Sequence, residues 1–402
     1  MLLTSLRSPN APLTRVNQVN TYLSRCWPAR TGHSGGRRAE GTGMAGDNEP
    51  GAVTEDTPFT PADDRYHPPT SDDPYLVETT WWSLNIPERK LGAWLHCQYH
   101  VNLQACTWRV FAWDDTSSDP DTLAYFKMVE KAPMPANPDL RDIRFPGGGF
   151  SVRMIDPLMN YRIGYEDPDR RFAIDIEHRS VHEPHRFTPG QPPMMHSPHL
   201  DQLGHVTGTL TLHGERIPVD CYSIRDRTWG PRGGHHSSSR KPEYLRGEHR
   251  VLHPGGPTWR EIERQRGRGR IQYIFGHADA TTGILSFARP QDGDADGWSP
   301  LYVGWLLKDG VFGRIDADRS RMRVYRDVTT GLTAFIEAEV CDRDGRKMRA
   351  EGSAVSRIAE KHGGGHSLIR WEFDGHIGWG EDQDVWRPDH FADLRAALAE
   401  VR

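Results

Sequence analysis

The stretch that decides the fold is Val206-Thr207-Gly208-Thr209-Leu210-Thr211-Leu212, followed by His213-Gly214-Glu215-Arg216 and then Ile217-Pro218-Val219-Asp220-Cys221. Val206, Gly208, Leu210 and Leu212 occupy alternate positions, as do Ile217, Val219 and Cys221. Period-two alternation on both sides of a glycine-bearing turn predicts an antiparallel hairpin with one buried face. Working outward, the same pattern recurs. Phe172, Ile174 and Ile176 alternate with Ala173, Asp175 and Glu177. Leu91 to Trp113 reads as two strands, with Trp94, Tyr99, Val101, Trp108, Val110 and Phe111 supplying β-favouring bulk.

The second half repeats the style. Ile271–Phe275 and Ile284–Phe287 flank a turn at Thr281-Thr282-Gly283. Tyr302–Leu307 runs into Asp309-Gly310, a strong two-residue hairpin signal because both central positions need positive φ. Asp344-Gly345 plays the same part between Ala334–Cys341 and Met348–Ser356. Only the end reads as helix: after Pro388, residues Phe391, Leu394, Ala397, Leu398 and Val401 recur at three and four. The prediction is all-β, two tandem antiparallel β-barrels with a short C-terminal helix.

Composition agrees. Gly 40 and Pro 30 together make about 17% of the 402 residues, against an average near 12%. Mean hydropathy is −0.70 and hydrophobic residues make up 36%. No apolar run is long enough to span a bilayer, and the net charge of −5 offers phosphate backbones no global attraction. Five cysteines without metal or redox spacing (Cys26, Cys97, Cys106, Cys221, Cys341) read as free thiols in a reducing, cytoplasmic setting.

The start of the chain is different in kind. Residues 1–43 carry six arginines and one acid, Glu40. Either this is a transit-type segment, broken by Pro9, Pro12 and Pro28, or translation begins at Met44. The acidic, Pro-rich run from Met44 to Pro74 reads as a disordered lead-in. The expected division is therefore 1–74 leader, 75–240 first barrel, and 241–402 second barrel with the terminal helix. The Pro-rich loop from His182 to His199 interrupts the first barrel, as a lid or a surface excursion.

Four features could carry chemistry. In Arg225-Asp226-Arg227-Thr228-Trp229-Gly230-Pro231-Arg232, an extended chain places Asp226 and Thr228 on one face and Arg225, Arg227 and Trp229 on the other. A carboxylate beside an aromatic in a barrel would be desolvated and could donate a proton at neutral pH. Alternatively, Asp226 pairs with Arg225 or Arg232 and pins two domains. Nine histidines fall between His178 and His236. His178 and His182 have a helical ligand spacing, but the segment reads as strand and loop, so no metal is expected. Arg264, Arg266, Arg268 and Arg270, spaced by two opposite Glu261 and Glu263, form a basic strand face that could meet an anion or simply solvent. Finally, 13 Trp exceed what core packing needs and suit the walls of an apolar pocket.

Gln202-Leu203-Gly204-His205-Val206-Thr207-Gly208, Gly214, and Arg225–Arg232 together resemble the central signature of the carotenoid 1,2-hydratase (hydroxyneurosporene synthase) superfamily. Tyr273–Gly276, Asp309-Gly310 and Arg370-Trp371-Glu372 through Gly378-Trp379-Gly380-Glu381 look like its C-terminal half, so the resemblance spans about residues 75–387. That family's pattern ends in Arg-Asp-His-Ser-Trp-Gly, where this chain has Arg227-Thr228. If the histidine acts in the hydratases, this chain uses another group or does something else.

The resemblance implies two lipocalin-like barrels and a hydratase, dehydratase or cyclase for a hydrophobic, isoprenoid-like substrate, without metal or redox cofactor. Asp226, or Glu372 or Glu381, would protonate a double bond, with Trp229 sheltering the cation. Arg227, Tyr273, Trp305 and Trp371 would line the substrate site. The partner expected is a hydrophobic small molecule rather than nucleic acid, with peripheral membrane contact left open. The rivals are a non-catalytic carrier of a lipid or terpenoid, and an interaction module using the arginine ladder.

Overall fold

The computed structural model describes residues 58–69, 71–72, 76–135, 138–187, 198–231, 270–288, 297–360, 364–386 and 388–399. Residues 1–43, the arginine ladder apart from the backbone of Arg270, and His196, His235 and His236 lie outside them, as does part of the Pro-rich loop.

Among the described residues, twenty strands and one α-helix carry the fold. The first sheet runs β1 (Leu76–Ile86), β2 (Leu91–His100), β3 (Ala105–Trp113), β4 (Tyr125–Pro133), β5 (Asp142–Arg144), β6 (Ser151–Asp156), β7 (Asn160–Glu166), β8 (Phe172–Ser180), β9 (His185–Phe187), β10 (His199–Leu212) and β11 (Glu215–Pro231). Their order is β4-β3-β2-β1-β11-β10-β8-β7-β6-β5, with β9 paired to β10. This sheet curls around its own core. No ladder joins β4 to β5 among the described residues, so it is a half-barrel rather than a closed one.

The second sheet runs β12 (Arg270–His277), β13 (Gly283–Ala288), β14 (Trp298–Lys308), β15 (Val311–Arg314), β16 (Arg321–Arg326), β17 (Thr333–Cys341), β18 (Lys347–Ala359), β19 (Gly364–Phe373) and β20 (His376–Trp386). Here β12 pairs with both β13 and β20, and β13 pairs on with β14. The meander closes into an eight-strand, up-and-down barrel of the lipocalin-like type, with β15 appended. Helix α1 (Pro388–Ala399) follows, burying Phe391, Leu394 and Leu398 against Leu332.

The hairpins form where turn chemistry put them. His213 and Gly214 have φ 51° and 87°, and Asp309 and Gly310 have 53° and 73°, the left-handed pair that matches strand twist. Alternation then sorts side chains into three layers. Ile217, Val219 and Cys221 of β11 face the core of the first sheet, with Trp82, Trp108 and Tyr161. Ile274, Ile336, Ile369 and Trp371 fill the second barrel. A Cβ on Gly276 would lie 2.1 Å from the Trp371 ring, so the glycine is what lets that indole fit. Between the sheets lies a third cluster, in which Trp81, Trp94, Leu203 and Ile224 meet Tyr273, Phe275 and Trp305. The excess tryptophan is divided among all three layers.

Residues 58–69 do not behave as a lead-in. Asp64 is wholly buried, and Phe59 packs with Leu158 and Leu200. Composition misses this because one acid finds two arginines far along the chain.

Candidate functional site

Strand β11 organises two buried polar networks, one on each face. The expected alternation is present: Arg225 and Arg227 project to one side, Asp226 and Thr228 to the other.

On the arginine side, Arg225 donates from Nη1 to Asp64 Oδ1 at 3.0 Å and from Nε to Gln202 Oε1 at 2.7 Å. Its guanidinium lies 4.4 Å from the Tyr161 ring centroid. The Tyr161 hydroxyl donates to Asp64 in turn. Arg227 pairs with Glu78 and, at 3.5 Å, with Asp64. It also donates to the Arg65 carbonyl at 3.1 Å. Burial pushes the Asp64 carboxyl up, but the Arg225 and Arg227 charges outweigh it and hold the group below its ordinary value. Trp229 stacks on His67 at 4.4 Å, and burial together with Arg227 holds that imidazole down at about 4. Arg225 therefore serves Asp64 rather than Asp226. Arg227, expected at a substrate, is committed to two carboxylates, and Trp229 is covered by residues from the 58–69 segment.

On the opposite side, the seam between the sheets holds two groups. In the first, cross-strand register sets His199 opposite Thr228 and Asp201 opposite Asp226. His199 Nδ1 lies 2.6 Å from Thr228 Oγ1, and its Nε2 lies 3.1 Å from Asp201 Oδ2. Ligand atoms of His199, Asp201 and Asp226 all lie within 4.8 Å of one another. Tyr273 faces them: burial and the nearby Asp201 and Asp226 push its phenol well above the ordinary value.

The second group centres on Glu381, which is fully buried on β20 directly opposite Phe275. Oε1 lies 2.6 Å from Ser83 Oγ, which lies 2.8 Å from Ser223 Oγ, and Oε2 accepts from Trp94 Nε1 at 2.8 Å. Burial raises the carboxyl to about 8, against the hydrogen bonds from Ser83, Trp94 and Gln383 that pull it down. At neutral pH the resting group is the acid. Its O–H can donate to Ser83 Oγ while the serine hydroxyl donates to Ser223 Oγ, which gives the acid proton and the Ser83 proton each an acceptor. Trp81 links the two groups, 5.2 Å from Trp94, 6.1 Å from Phe275 and 6.4 Å from Tyr273 by ring centroids.

The remaining expected residues separate. Trp305 lies in the seam and donates to His277 Nε2 at 3.3 Å. Trp371 is sealed inside the second barrel, donating to the Phe275 carbonyl at 3.0 Å. Glu372 is exposed on the barrel's outer surface, away from the seam. His178 and His182 enter no metal-sized group among the described residues; His178 packs at 5.3 Å on Trp82. The pair that sequence reasoning missed is His199 and Asp201. The signal was there: His-x-Asp on one strand, facing Asp-x-Thr on its neighbour. Asp382, inside the second barrel, is raised to about 7 by burial and the adjacent Asp384, but Arg326 contacts that pair at 2.6 Å and offsets its charge.

Residues 60–241 match the model of a protein family described as a domain of unknown function, DUF7064. No curated protein matches the chain. Among solved structures, an AttH-like protein from Nitrosomonas europaea aligns at 14% identity and TM-score 0.49, over 84% of this chain and 98% of that one. Kievitone hydratase from Nectria haematococca aligns at 10% and 0.43, over 83% and 96%. CghA aligns at 12% and 0.47, over 84% and 97%. No described helix is long and apolar enough to cross a membrane.

Proposed function

We propose that this protein is a hydratase, dehydratase or cyclase acting by acid catalysis on a hydrophobic, isoprenoid-like substrate held against the seam. The observation that carries the reading is Glu381: a carboxylic acid that keeps its proton at neutral pH, walled by Trp81, Trp94 and Phe275. The motif resemblance to the carotenoid 1,2-hydratases supports the same chemistry. The Glu381 proton passes to one carbon of an isolated double bond, the π pair forming the new C–H bond. The adjacent carbon becomes cationic beside the faces of the indoles, which stabilise it through their quadrupoles. Water adds and returns a proton to the carboxylate, or an internal double bond closes a ring and the new cation loses a proton to the carboxylate. The step balances with no oxidant or reductant.

Incubation in D2O with acyclic isoprenoid alkenes, the corresponding tertiary alcohols and prenylated phenols tests this. The expected products gain or lose water, or are isomers carrying one carbon-bound deuterium. Glu381→Gln should slow turnover about a hundredfold or more while leaving the fold intact. Tight retention of such ligands with no product would make the protein a carrier.

A further inference from the structure

We infer that His199, Asp201 and Asp226 form a binding site for a divalent first-row metal ion at the seam between the sheets. The argument starts with register. His199 and Asp201 are alternate residues of β10, so both point to the same side, and β11 places Asp226 directly across from Asp201. Their donor atoms all lie within 4.8 Å of one another, a little beyond the roughly 4.2 Å that two opposite bonds of about 2.1 Å span, so small side-chain rotations would gather them around one ion. His199 and Asp201 are 1% and 0% exposed, so this is not a solvated acidic patch.

The chemistry of the contacts points the same way. Thr228 lies 2.6 Å from His199 Nδ1 and fixes the ring, as an outer partner does for a metal-bound imidazole. That leaves Nε2 aimed at Asp201 Oδ2, 3.1 Å away. The second oxygen of Asp201 and the hydroxyl of Tyr273 are buried and face each other at hydrogen-bonding range without well-formed geometry. Asp201 and Asp226 hold two carboxylates close together in a largely buried place, and a divalent ion bound between them would offset their mutual repulsion. One imidazole and two carboxylates suit Mn²⁺ or Zn²⁺ better than a soft-metal thiolate set would. Phe187, 5.0 Å from the His199 ring, and Phe287 at 6.4 Å supply the apolar surround.

The test is equilibrium dialysis of the chelator-treated full chain against Mn²⁺ alone, with bound metal counted by mass spectrometry and thermal melts run in parallel. Mn²⁺ is the probe because surface histidines hold it weakly. Wild type should retain one equivalent and melt higher with it. Asp201→Asn and His199→Ala should each weaken binding at least about tenfold. His205→Ala, on an exposed pair with Asp220, should bind as wild type does. Chelator-treated Asp201→Asn should melt no lower than chelator-treated wild type, because it removes a carboxylate that lacks its ion. The inference is overturned by the absence of saturable Mn²⁺ binding, by equal binding in wild type and Asp201→Asn, or by a several-degree loss in that variant which Mn²⁺ does not alter in wild type. None of these readouts involves turnover, so the site can fail while the acid-catalysis reading stands, and the reverse.

Discussion

On one face of β11, two arginines meet two carboxylates and a phenol, and each charge has an opposite charge within reach. On the other face, Glu381 lies in aromatic surroundings where only hydrogen bonds oppose its desolvation, and Asp201 lies beside His199, Asp226 and the Tyr273 phenol. The same backbone carries both, so secondary structure does not distinguish them. What differs is neutralisation. A buried charge that is balanced locks segments together, and breaking the balance costs stability. A buried acid without a counter-ion stays protonated and is available for chemistry. The arginine face is thus the structural half of the motif and the seam is its chemical half.

The largest expected effect tests the locking face. Removing residues 1–69 deletes Asp64 and leaves Arg225 and much of Arg227 uncompensated, so the remainder should lose its cooperative melt or aggregate. Removing residues 1–43 keeps Asp64 and should leave the midpoint unchanged. Asp64→Asn isolates the charge, with an expected loss of about 3–5 kcal/mol in denaturant unfolding. The pH sign follows. The folded Asp64 carboxyl sits below its ordinary value, so its contribution is present above the unfolded value near 3.8 and fades as pH falls through the folded one. Wild type should therefore lose stability in acid more steeply than the variant. An Asp64→Asn protein as stable as wild type at neutral pH would break the comparison.

Glu381 should titrate with the opposite sign. Its folded value of about 8 lies above the unfolded 4.5, so the stability it permits is full below pH 4.5 and declines as pH rises through 8. Glu381→Gln retains an N–H donor to Ser83 and an acceptor for Trp94, so it should match wild type near pH 5 and exceed it by a few kcal/mol at pH 9. Thermal melts across that range read the difference directly. A variant less stable than wild type at pH 5 would mean that Glu381 is ionised in the folded state, and the proton-donor reading would go with it.

How much of this was legible in the sequence depends on distance along the chain. The hairpins at His213-Gly214 and Asp309-Gly310 are local, and so is the division of Arg225–Trp229 between two faces; turn chemistry and period-two alternation suffice for both. Asp64 was not legible. It sits in a Pro-rich acidic run whose composition says lead-in, and its arginine partners are 161 and 163 positions away. Closure of the second sheet depends on the β13–β14 and β12–β20 pairings, and the open β4–β5 edge of the first looks no different in pattern. Glu381 was one of three acids the motif offered, and burial chose it: the strand pattern does not say which outer face another sheet will cover.

The smallest expected effect is therefore at Glu372, which sets the limit of the comparison. Glu372 and Glu381 lie in the same motif on adjacent strands, and both read as possible donors from sequence. In the barrel, Glu372 is exposed and pairs across β19 and β20 with the exposed Ile377, whereas Glu381 faces the seam. Surface substitutions away from networks shift stability by about 0.5 kcal/mol or less. Glu372→Gln should accordingly leave both the melt and the turnover of any substrate found for wild type within about twofold. A hundredfold loss of turnover in that variant, with Glu381→Gln fully active, would move the acid to the barrel's outer surface. The contrast between a locked face and a chemical face of β11 would then have no bearing on catalysis.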